Sequence, residues 1–183
     1  MKVVFFGTPD FAVASLSAIH ESREHTIVGV VTSVDKPAGR GKKLRSSAVK
    51  NYATENELYL LQPENLKSNE FISQLQNLNA DIFVVVAFRM MPKSVWSLPK
   101  HGTFNLHASL LPQYRGAAPI NWAIINNEKE TGVTTFLIDE KIDTGNVLLN
   151  EKIKITKEDN AGTLHDKLMI LGKELVVKTL NSV

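Results

Sequence analysis

Short apolar runs recur along the chain and alternate with segments whose apolar residues have helical spacing. The runs Lys2–Phe6 and His25–Thr32 predict buried strands. Ile82–Ala87 is apolar on both faces, which is typical of a central strand in a parallel sheet covered on both sides. These runs therefore predict the middle of a buried sheet.

The segments between the runs predict helices, because their apolar residues recur every three or four positions. Thr8 or Asp10 is expected to cap the first of them. The expected helices cover about 10–22, Ser47–Asn56, Ser68–Leu78, Lys93–Ser97, a segment starting at Pro119, and Thr163–Thr179. Further short strands are expected at Leu58–Leu61, Thr103–Ala108, Gly132–Ile138 and Asn146–Asn150.

The alternation of strands and helices predicts one α/β domain over residues 1–183. We expect a Rossmann-like, doubly wound, mostly parallel sheet with helices on both faces. Gly132–Ile138 and Asn146–Asn150 are not separated by a helix, so mixed or antiparallel pairing is expected there.

Composition narrows the class of protein. The 43% hydrophobic and 22% charged residues are ordinary for a soluble globular domain. No apolar run approaches the ~20 residues of a membrane span, and a strand at the very start leaves no room for a signal peptide. Cysteine is absent, which excludes disulfides, thiolate metal ligands and cysteine nucleophiles. We expect a cytoplasmic, monomeric protein that does not bind a metal.

Two common nucleotide-binding patterns are missing. Gly7 follows the first strand without the further glycines of a dinucleotide-binding fingerprint. Gly41-Lys42-Lys43 lacks the spacing of a phosphate-binding loop. Nicotinamide and ATP chemistry are therefore disfavoured.

Positive charge is concentrated in residues 35–50. The whole chain carries a net charge of +2, whereas this segment alone carries +5 and the remainder −3. Arg40, Lys42 and Lys43 lie among glycines that favour a loop. Such a loop can contact phosphates, and the alternative is a solvated connector.

The strand Thr103–Ala108 carries the candidate chemistry. Side chains alternate across a strand, so Asn105 and His107 point to the same face. An amide and an imidazole together can stabilise an oxyanion, and an imidazole with a carboxylate such as Asp143 can move protons. The alternatives are a polar strand end and an Asx-turn at Asp143.

The segment Phe88–Pro92 follows the central strand at its carboxyl end, where ligands of open α/β sheets bind. Its methionines can adapt to a flat aromatic ligand. Simple hydrophobic packing is the alternative interpretation.

Several motifs together resemble the folate-dependent formyltransferase family. They are Asn105-Leu-His107, Ser109-Leu-Leu-Pro-Gln-Tyr-Arg-Gly116 with the following Ala-Ala-Pro119, Thr131-Gly-Val-Thr134 and Asp143-Thr-Gly145. Within the family, Phe6-Gly-Thr-Pro-Asp-Phe-Ala12 and the Pro37-Ala-Gly-Arg-Gly-Lys42 stretch resemble the methionyl-tRNA formyltransferases in particular.

The resemblance implies a donor, an acceptor and residue roles. The donor would be 10-formyltetrahydrofolate and the acceptor the methionine α-amine of initiator methionyl-tRNA. Asn105, His107 and Asp143 would be catalytic. The folate would contact a set of eight residues and the tRNA a set of three. These are Phe88, Arg89, Met90, Met91, Ser109, Leu110, Leu111 and Pro112 for the folate, and Arg40, Lys42 and Lys43 for the tRNA.

Family members that act on methionyl-tRNA have a second, C-terminal domain that helps to hold the tRNA. This sequence ends soon after the helix predicted at Thr163–Thr179. It is then either a truncated piece or an enzyme for a smaller acceptor, such as an amino-sugar nucleotide or glycinamide ribonucleotide. A folate-binding domain without transfer activity is the non-enzymatic alternative.

Overall fold

The computed structural model describes residues 1–38 and 43–183. Strands and helices alternate along most of the chain. The strands are β1 (Lys2–Gly7), β2 (Thr26–Val31), β3 (Lys36–Ala38), β4 (Lys43–Arg45), β5 (Leu60–Leu61), β6 (Ile82–Val86), β7 (Thr103–His107), β8 (Glu130–Leu137) and β9 (Val147–Lys154). The helices are α1 (Asp10–Ser22), α2 (Ala48–Glu55), α3 (Asn69–Asn77), α4 (Lys93–Trp96), α5 (Pro119–Ile125) and α6 (Ala161–Ser182).

Seven strands form one sheet in the order β5-β2-β1-β6-β7-β8-β9. The pairs from β5 to β7 are parallel, and β7–β8 and β8–β9 are antiparallel. The chain builds outward from β1 in one direction and then returns to place β6 on its other side. The expected doubly wound sheet with mixed pairing in its later part is confirmed, and its switch point lies between β1 and β6.

The sheet separates two hydrophobic cores, which explains why its central strands are apolar throughout. Val3 and Phe5 of β1 pack in the core that includes residues of α1, α2, α5 and α6. Val4 and Phe6 point to the opposite core, which includes residues of α3 and α4. All four side chains are fully buried. Helices therefore cover both faces, as the sequence predicts.

The predicted cap of α1 is wrong. Pro9 occupies the N-cap position, and its carbonyl accepts a hydrogen bond from the Ala12 N–H at 2.9 Å. A proline side chain cannot accept such a bond, so the helix begins without the side-chain cap expected from Thr8 or Asp10. The caps of α2 and α3 follow the usual rule, since Ser47 and Ser68 accept from backbone N–H groups of the first turns.

The segment between β2 and α2, expected to be a loop, includes a small hairpin. β3 and β4 pair antiparallel, with Lys36 opposite Arg45. Each strand has three residues, which is too short for alternation to be recognised, and Pro37 lowers the strand propensity further. The hairpin follows β2, so it leaves the sheet from the edge formed by the carboxyl ends of the parallel strands.

β9 is longer than expected and continues to Lys154. The charged residues Glu151, Lys152 and Lys154 do not suggest a strand in the sequence. They are compatible with one because an edge strand needs apolar residues on one face only. Among the helices in the described ranges, none is long and apolar enough to cross a membrane.

Candidate active site

A cleft of about 810 Å³ lies at the carboxyl ends of β1, β6 and β7. This volume falls within the range of small-molecule sites, and the position beside the switch point is the usual one for ligands of open α/β sheets. Five segments and His165 contribute most of the wall. The segments are Pro9 with Phe11, Ala87–Met91, Asn105–Ala108, Ala118–Asn121 and Asp139–Asp143.

His107 ends β7 and is held by two different contacts. Its ring Nε2 lies 2.7 Å from the carbonyl oxygen of Tyr114. A carbonyl can only accept, so Nε2 carries a proton and donates it. Nδ1 lies 3.6 Å from Oδ2 of Asp143, which is beyond hydrogen-bonding distance. The imidazole is therefore fixed through one nitrogen, and its other nitrogen faces a carboxylate.

Asp143 is held against the loop that follows β7. Its Oδ2 accepts a 2.7 Å hydrogen bond from the Gly116 N–H, and its backbone carbonyl accepts one of 2.7 Å from Nε of Arg115. The side chain is only 15% exposed. These contacts join the β7–α5 loop to the β8–β9 turn and place the carboxylate beside His107.

Asp139, not Asp143, closes the local turn. Its Oδ1 accepts from the Lys141 N–H at 2.9 Å and from the Thr144 hydroxyl at 2.8 Å. Such hydrogen bonds to an aspartate side chain from residues shortly after it in the chain are typical of an Asx-turn. The Asp143 carboxylate instead accepts from the Gly116 N–H in the β7–α5 loop.

Gly145 lets the turn approach β8 closely. A Cβ atom at this position would lie 1.6 Å from the carbonyl oxygen of Leu137. The Leu137 N–H in turn donates to the Asn146 carbonyl at 2.9 Å. The glycine is therefore a steric requirement for the turn that carries Asp143.

Asn105 lies between its neighbours in the sheet, with Val85 of β6 on one side and Phe136 of β8 on the other. It is half-buried and lines the cleft together with His107 and Asp143. Thr103 shares its face but lies at the far end of β7, where its hydroxyl donates to the Trp96 carbonyl at 2.6 Å. The structure thus brings the amide, imidazole and carboxylate candidates into one cleft.

The segment Phe88–Met91 lines the same cleft, and two of its side chains are firmly anchored. The Phe88 ring packs against Phe6 with centroids 5.6 Å apart. Arg89 donates to the carbonyl oxygens of Pro63 at 2.5 Å and Glu64 at 3.3 Å. Met91 is buried whereas Met90 is 72% exposed. Buried and exposed side chains therefore alternate between neighbouring residues at the end of this segment.

The structure does not bring Ser109–Pro112 to the wall of this cleft. Ser109 is fully buried, and its hydroxyl donates to the Gln113 carbonyl at 2.6 Å. Its own carbonyl accepts from the Thr134 hydroxyl at 2.7 Å. Leu110 and Leu111 instead line a separate cavity of about 390 Å³. The turn is directed away from the wall of this cleft because Ser109 is tied to β8, and its contact with the folate stays a prediction.

His165 is a cleft residue that the sequence did not indicate. None of the sequence motifs includes it, but it lies in the cleft wall with its ring 5.3 Å from that of Phe11. His165 lies beside Leu164 and off the apolar stripe of α6, so the sequence pattern does not indicate that it is a site residue. The topology does indicate this position, because α6 begins at the same edge of the sheet as the cleft.

The remaining expected contacts cannot be located. Arg40 and Lys42 lie outside the described residues, and Lys43 begins β4 with a side chain that is likewise outside the description. In the described ranges, no group of three or more histidine, aspartate or glutamate side chains could hold a metal ion.

The chain is similar to curated proteins over nearly its whole length. The chain is 60% identical over 183 residues to a methionyl-tRNA formyltransferase of Flavobacterium psychrophilum, covering all of this chain and 58% of that protein. It is 53% identical over 180 residues to the enzyme of the same name from Thermodesulfovibrio yellowstonii, covering 98% of this chain and 58% of the other. The chain thus spans little more than half the length of these curated relatives.

Solved structures share the fold at low identity. A phosphoribosylglycinamide formyltransferase from Bacillus halodurans superposes with a TM-score of 0.82 at 24% identity, covering 100% of this chain and 94% of the other. One from Streptococcus pneumoniae gives 0.83 at 16%, covering 99% and 97%. The profile described as "Formyl transferase" matches residues 1–180. With that profile matching almost the whole sequence, the chain belongs to the formyl transferase family.

Proposed function

We propose that this protein transfers a formyl group from 10-formyltetrahydrofolate to the methionine α-amine of initiator methionyl-tRNA, and so acts in translation initiation in the cytoplasm. The observation that carries the proposal is the convergence of Asn105, His107 and Asp143 in one cleft of suitable volume. Relatives that are 53–60% identical and named methionyl-tRNA formyltransferase support this acceptor.

In this reaction, the neutral amine attacks the formyl carbon and converts the formyl oxygen to an oxyanion. The Asn105 amide N–H and an N–H on Nδ1 of His107 are suitable donors to that oxygen. Nε2 is already committed to the Tyr114 carbonyl. Nδ1 is therefore the nitrogen available for chemistry.

Proton transfer completes the step. The attacking amine loses one proton and the departing folate nitrogen gains one, so the net reaction needs no further reagent. Asp143 is suited to the transfer because its carboxylate is fixed by Gly116 at 2.7 Å and faces Nδ1 of His107. A ring protonated on both nitrogens would donate one N–H to the Tyr114 carbonyl and turn the other toward the charge of the Asp143 carboxylate.

The donor would occupy the part of the cleft beside Phe88–Met91. Exposed Met90 offers a polarizable contact for a flat pterin ring. The backbone of this segment, held by the Arg89 contacts, offers hydrogen bonds. Ser109 and Leu111 contribute indirectly, since their bonds to Thr134 hold the loop that contacts His107.

A formyl-transfer assay with methionyl-tRNA and 10-formyltetrahydrofolate tests the proposal. His107→Ala should lower turnover by roughly 10²-fold or more, the scale for a lost acid–base or oxyanion group. His101→Ala is the matched control, because His101 is an exposed histidine just before β7, at the opposite edge of the sheet. Wild-type turnover in His107→Ala would contradict the assignment. Transfer to glycinamide ribonucleotide or an amino-sugar nucleotide, but not to methionyl-tRNA, would favour the small-acceptor alternative.

A further inference from the structure

Tyr114 connects the candidate active site to a hydrogen-bonded cluster on the other side of the β7–α5 loop. Its carbonyl oxygen accepts the Nε2–H of His107, while its hydroxyl donates to Oε1 of Glu128. The side-chain amide of Asn126 donates to the same hydroxyl at 2.9 Å. Tyr114 therefore contacts the imidazole with its backbone and the connection between α5 and β8 with its side chain.

The backbone of Tyr114 requires such an anchor. Its φ is +56°, in the left-handed region that non-glycine residues rarely adopt. A residue held in this region costs free energy and persists when surrounding contacts determine it. The hydroxyl contacts to Glu128 and Asn126 are suited to that task, and the hydrogen bond to Glu128 raises the pKa of the Tyr114 hydroxyl.

The orientation of this carbonyl decides which nitrogen of His107 can react. The acceptor for one ring nitrogen sets the tautomer and leaves the other nitrogen for chemistry. While the Tyr114 carbonyl accepts from Nε2, Nδ1 faces Asp143 and the cleft. If that carbonyl rotated away, a neutral ring could carry its proton on either nitrogen.

We propose that Tyr114 and Glu128 act as a positioning pair, which fixes the tautomer and orientation of His107 through the Tyr114 carbonyl. Neither side chain lines the catalytic cleft; both line the smaller cavity of about 390 Å³ behind the loop. They act through His107 and not on the substrate. The inference concerns the same site as the proposed formyl transfer and its catalytic part rests on that function.

The first test removes the tyrosine hydroxyl and keeps its ring. In Tyr114→Phe, the Nε2–H proton of His107, observed by nitrogen-resolved NMR, should exchange faster with water because its acceptor is less well fixed. Turnover should fall roughly 10-fold, as for other lost orienting partners, with the KM for the folate unchanged. Tyr59→Phe is the matched control, since Tyr59 is 54% exposed beside β5, far from the β7–α5 loop.

The second test uses the carboxylate. Glu128→Ala should resemble Tyr114→Phe, whereas Glu128→Gln keeps an oxygen acceptor and should recover most of the turnover and the slow exchange. Glu130→Ala, which removes a neighbouring carboxylate paired with Lys152 at 2.9 Å, should leave both at wild-type values. The double variant Tyr114→Phe/Glu128→Ala should be little worse than either single variant, because both remove one interaction.

Two readouts separate this proposal from the proposed function. Unchanged Nε2–H exchange in both Tyr114→Phe and Glu128→Ala would overturn the positioning role, whatever the turnover. Faster exchange with wild-type turnover would overturn its importance for catalysis. If wild type transfers no formyl group to any acceptor, the proposed function fails, but the exchange measurement still tests whether the pair positions His107.

Discussion

At the scale of single residues, the geometry around Asp143 predicts that replacing it with asparagine lowers turnover without disturbing the fold. In Asp143→Asn, the remaining side-chain oxygen can still accept from the Gly116 N–H, which now lies 2.7 Å from the carboxylate. The negative charge facing Nδ1 of His107 is lost. We therefore expect turnover to fall roughly 10²-fold or more with folding intact.

Asp139→Asn distinguishes catalysis from turn formation in the same loop. Asp139 accepts from Lys141 and Thr144, so its replacement should loosen the turn and have a smaller effect on turnover. Steady-state kinetics and thermal melting of both variants provide the measurement. Equal losses of turnover would indicate that Asp143 serves the turn and not the chemistry.

Gly145 provides a steric prediction about the same turn. Gly145→Ala would place a methyl group 1.6 Å from the Leu137 carbonyl oxygen, a contact that requires the backbone to move. We expect the free energy of unfolding to fall by about 3 kcal/mol, the upper end of usual overpacking costs, and turnover to fall because Asp143 shifts.

Gly162→Ala is the comparison for this variant in denaturant unfolding. Its Cβ would lie 3.2 Å from Oδ1 of Asn160, at the start of α6. The gain of about 1 kcal/mol in helix propensity should offset the tight contact. If Gly145→Ala were as stable as Gly162→Ala, the turn could not be as rigid as its geometry implies.

At the scale of elements, the start of α6 depends on Asp159. Its carboxylate is 3% exposed and lies 2.7 Å from Nζ of Lys167. It also accepts from the Thr156 N–H at 2.8 Å. The Lys167 hydrogen bond, followed by that of the Thr156 N–H, holds the pKa of Asp159 well below its usual value. These contacts fix the turn before α6, and His165 in the first turns of that helix lies in the cleft wall.

A lowered folded-state pKa means that the charged carboxylate favours the folded protein. The stabilisation is fully present above the unfolded pKa, about pH 4, and is lost as the pH falls through the lower folded pKa. Asp159→Asn should therefore lower the midpoint of urea unfolding at pH 7, and the difference from wild type should shrink as the pH falls below about 4.

Asp166→Asn is the matched control, because it removes a carboxylate of the same helix whose side chain is 71% exposed. Urea midpoints of wild type and both variants at several pH values provide the test. A constant difference between wild type and Asp159→Asn down to pH about 2 would mean that the carboxylate titrates normally.

Local patterns in the sequence were sufficient for most elements. The Ser47 and Ser68 caps and the helix start at Pro119 follow from the chemistry of helix ends. The central strands follow from their apolar runs. Alternation along β7 also correctly put Asn105 and His107 on one face, and both line the cleft.

Other features depend on contacts between residues distant in sequence. The Ser109 hydroxyl and carbonyl turn its segment away from the cleft through bonds to Gln113 and Thr134. His165 reaches the cleft because of where α6 begins. The role of the Tyr114 carbonyl follows from its position beside His107, seven residues earlier in the chain. Periodicity contains no information on such pairs, since it describes one element at a time.

At the scale of the whole molecule, the position of the basic segment relative to the cleft matters more than the small net charge. The hairpin of β3 and β4 follows β2 and therefore lies at the edge of the sheet where the cleft opens. Among the described residues of this segment, Lys50 pairs with Asp35 at 2.5 Å. The other cations in residues 35–50 of the sequence are Lys36, Arg40, Lys42, Lys43 and Arg45.

This arrangement predicts how tRNA binding should depend on salt. If the segment contacts phosphates of the acceptor stem, Arg40→Ala should weaken methionyl-tRNA binding and leave folate binding unchanged. Each lost phosphate contact should reduce the slope of log affinity against log salt by roughly 0.7–0.9. Lys2→Ala is the matched control, because it removes an exposed positive charge at the amino end of β1, the opposite edge of the sheet. Identical slopes for wild type, Arg40→Ala and Lys2→Ala would mean that the segment is a solvated connector, and a small amine would become the better candidate acceptor.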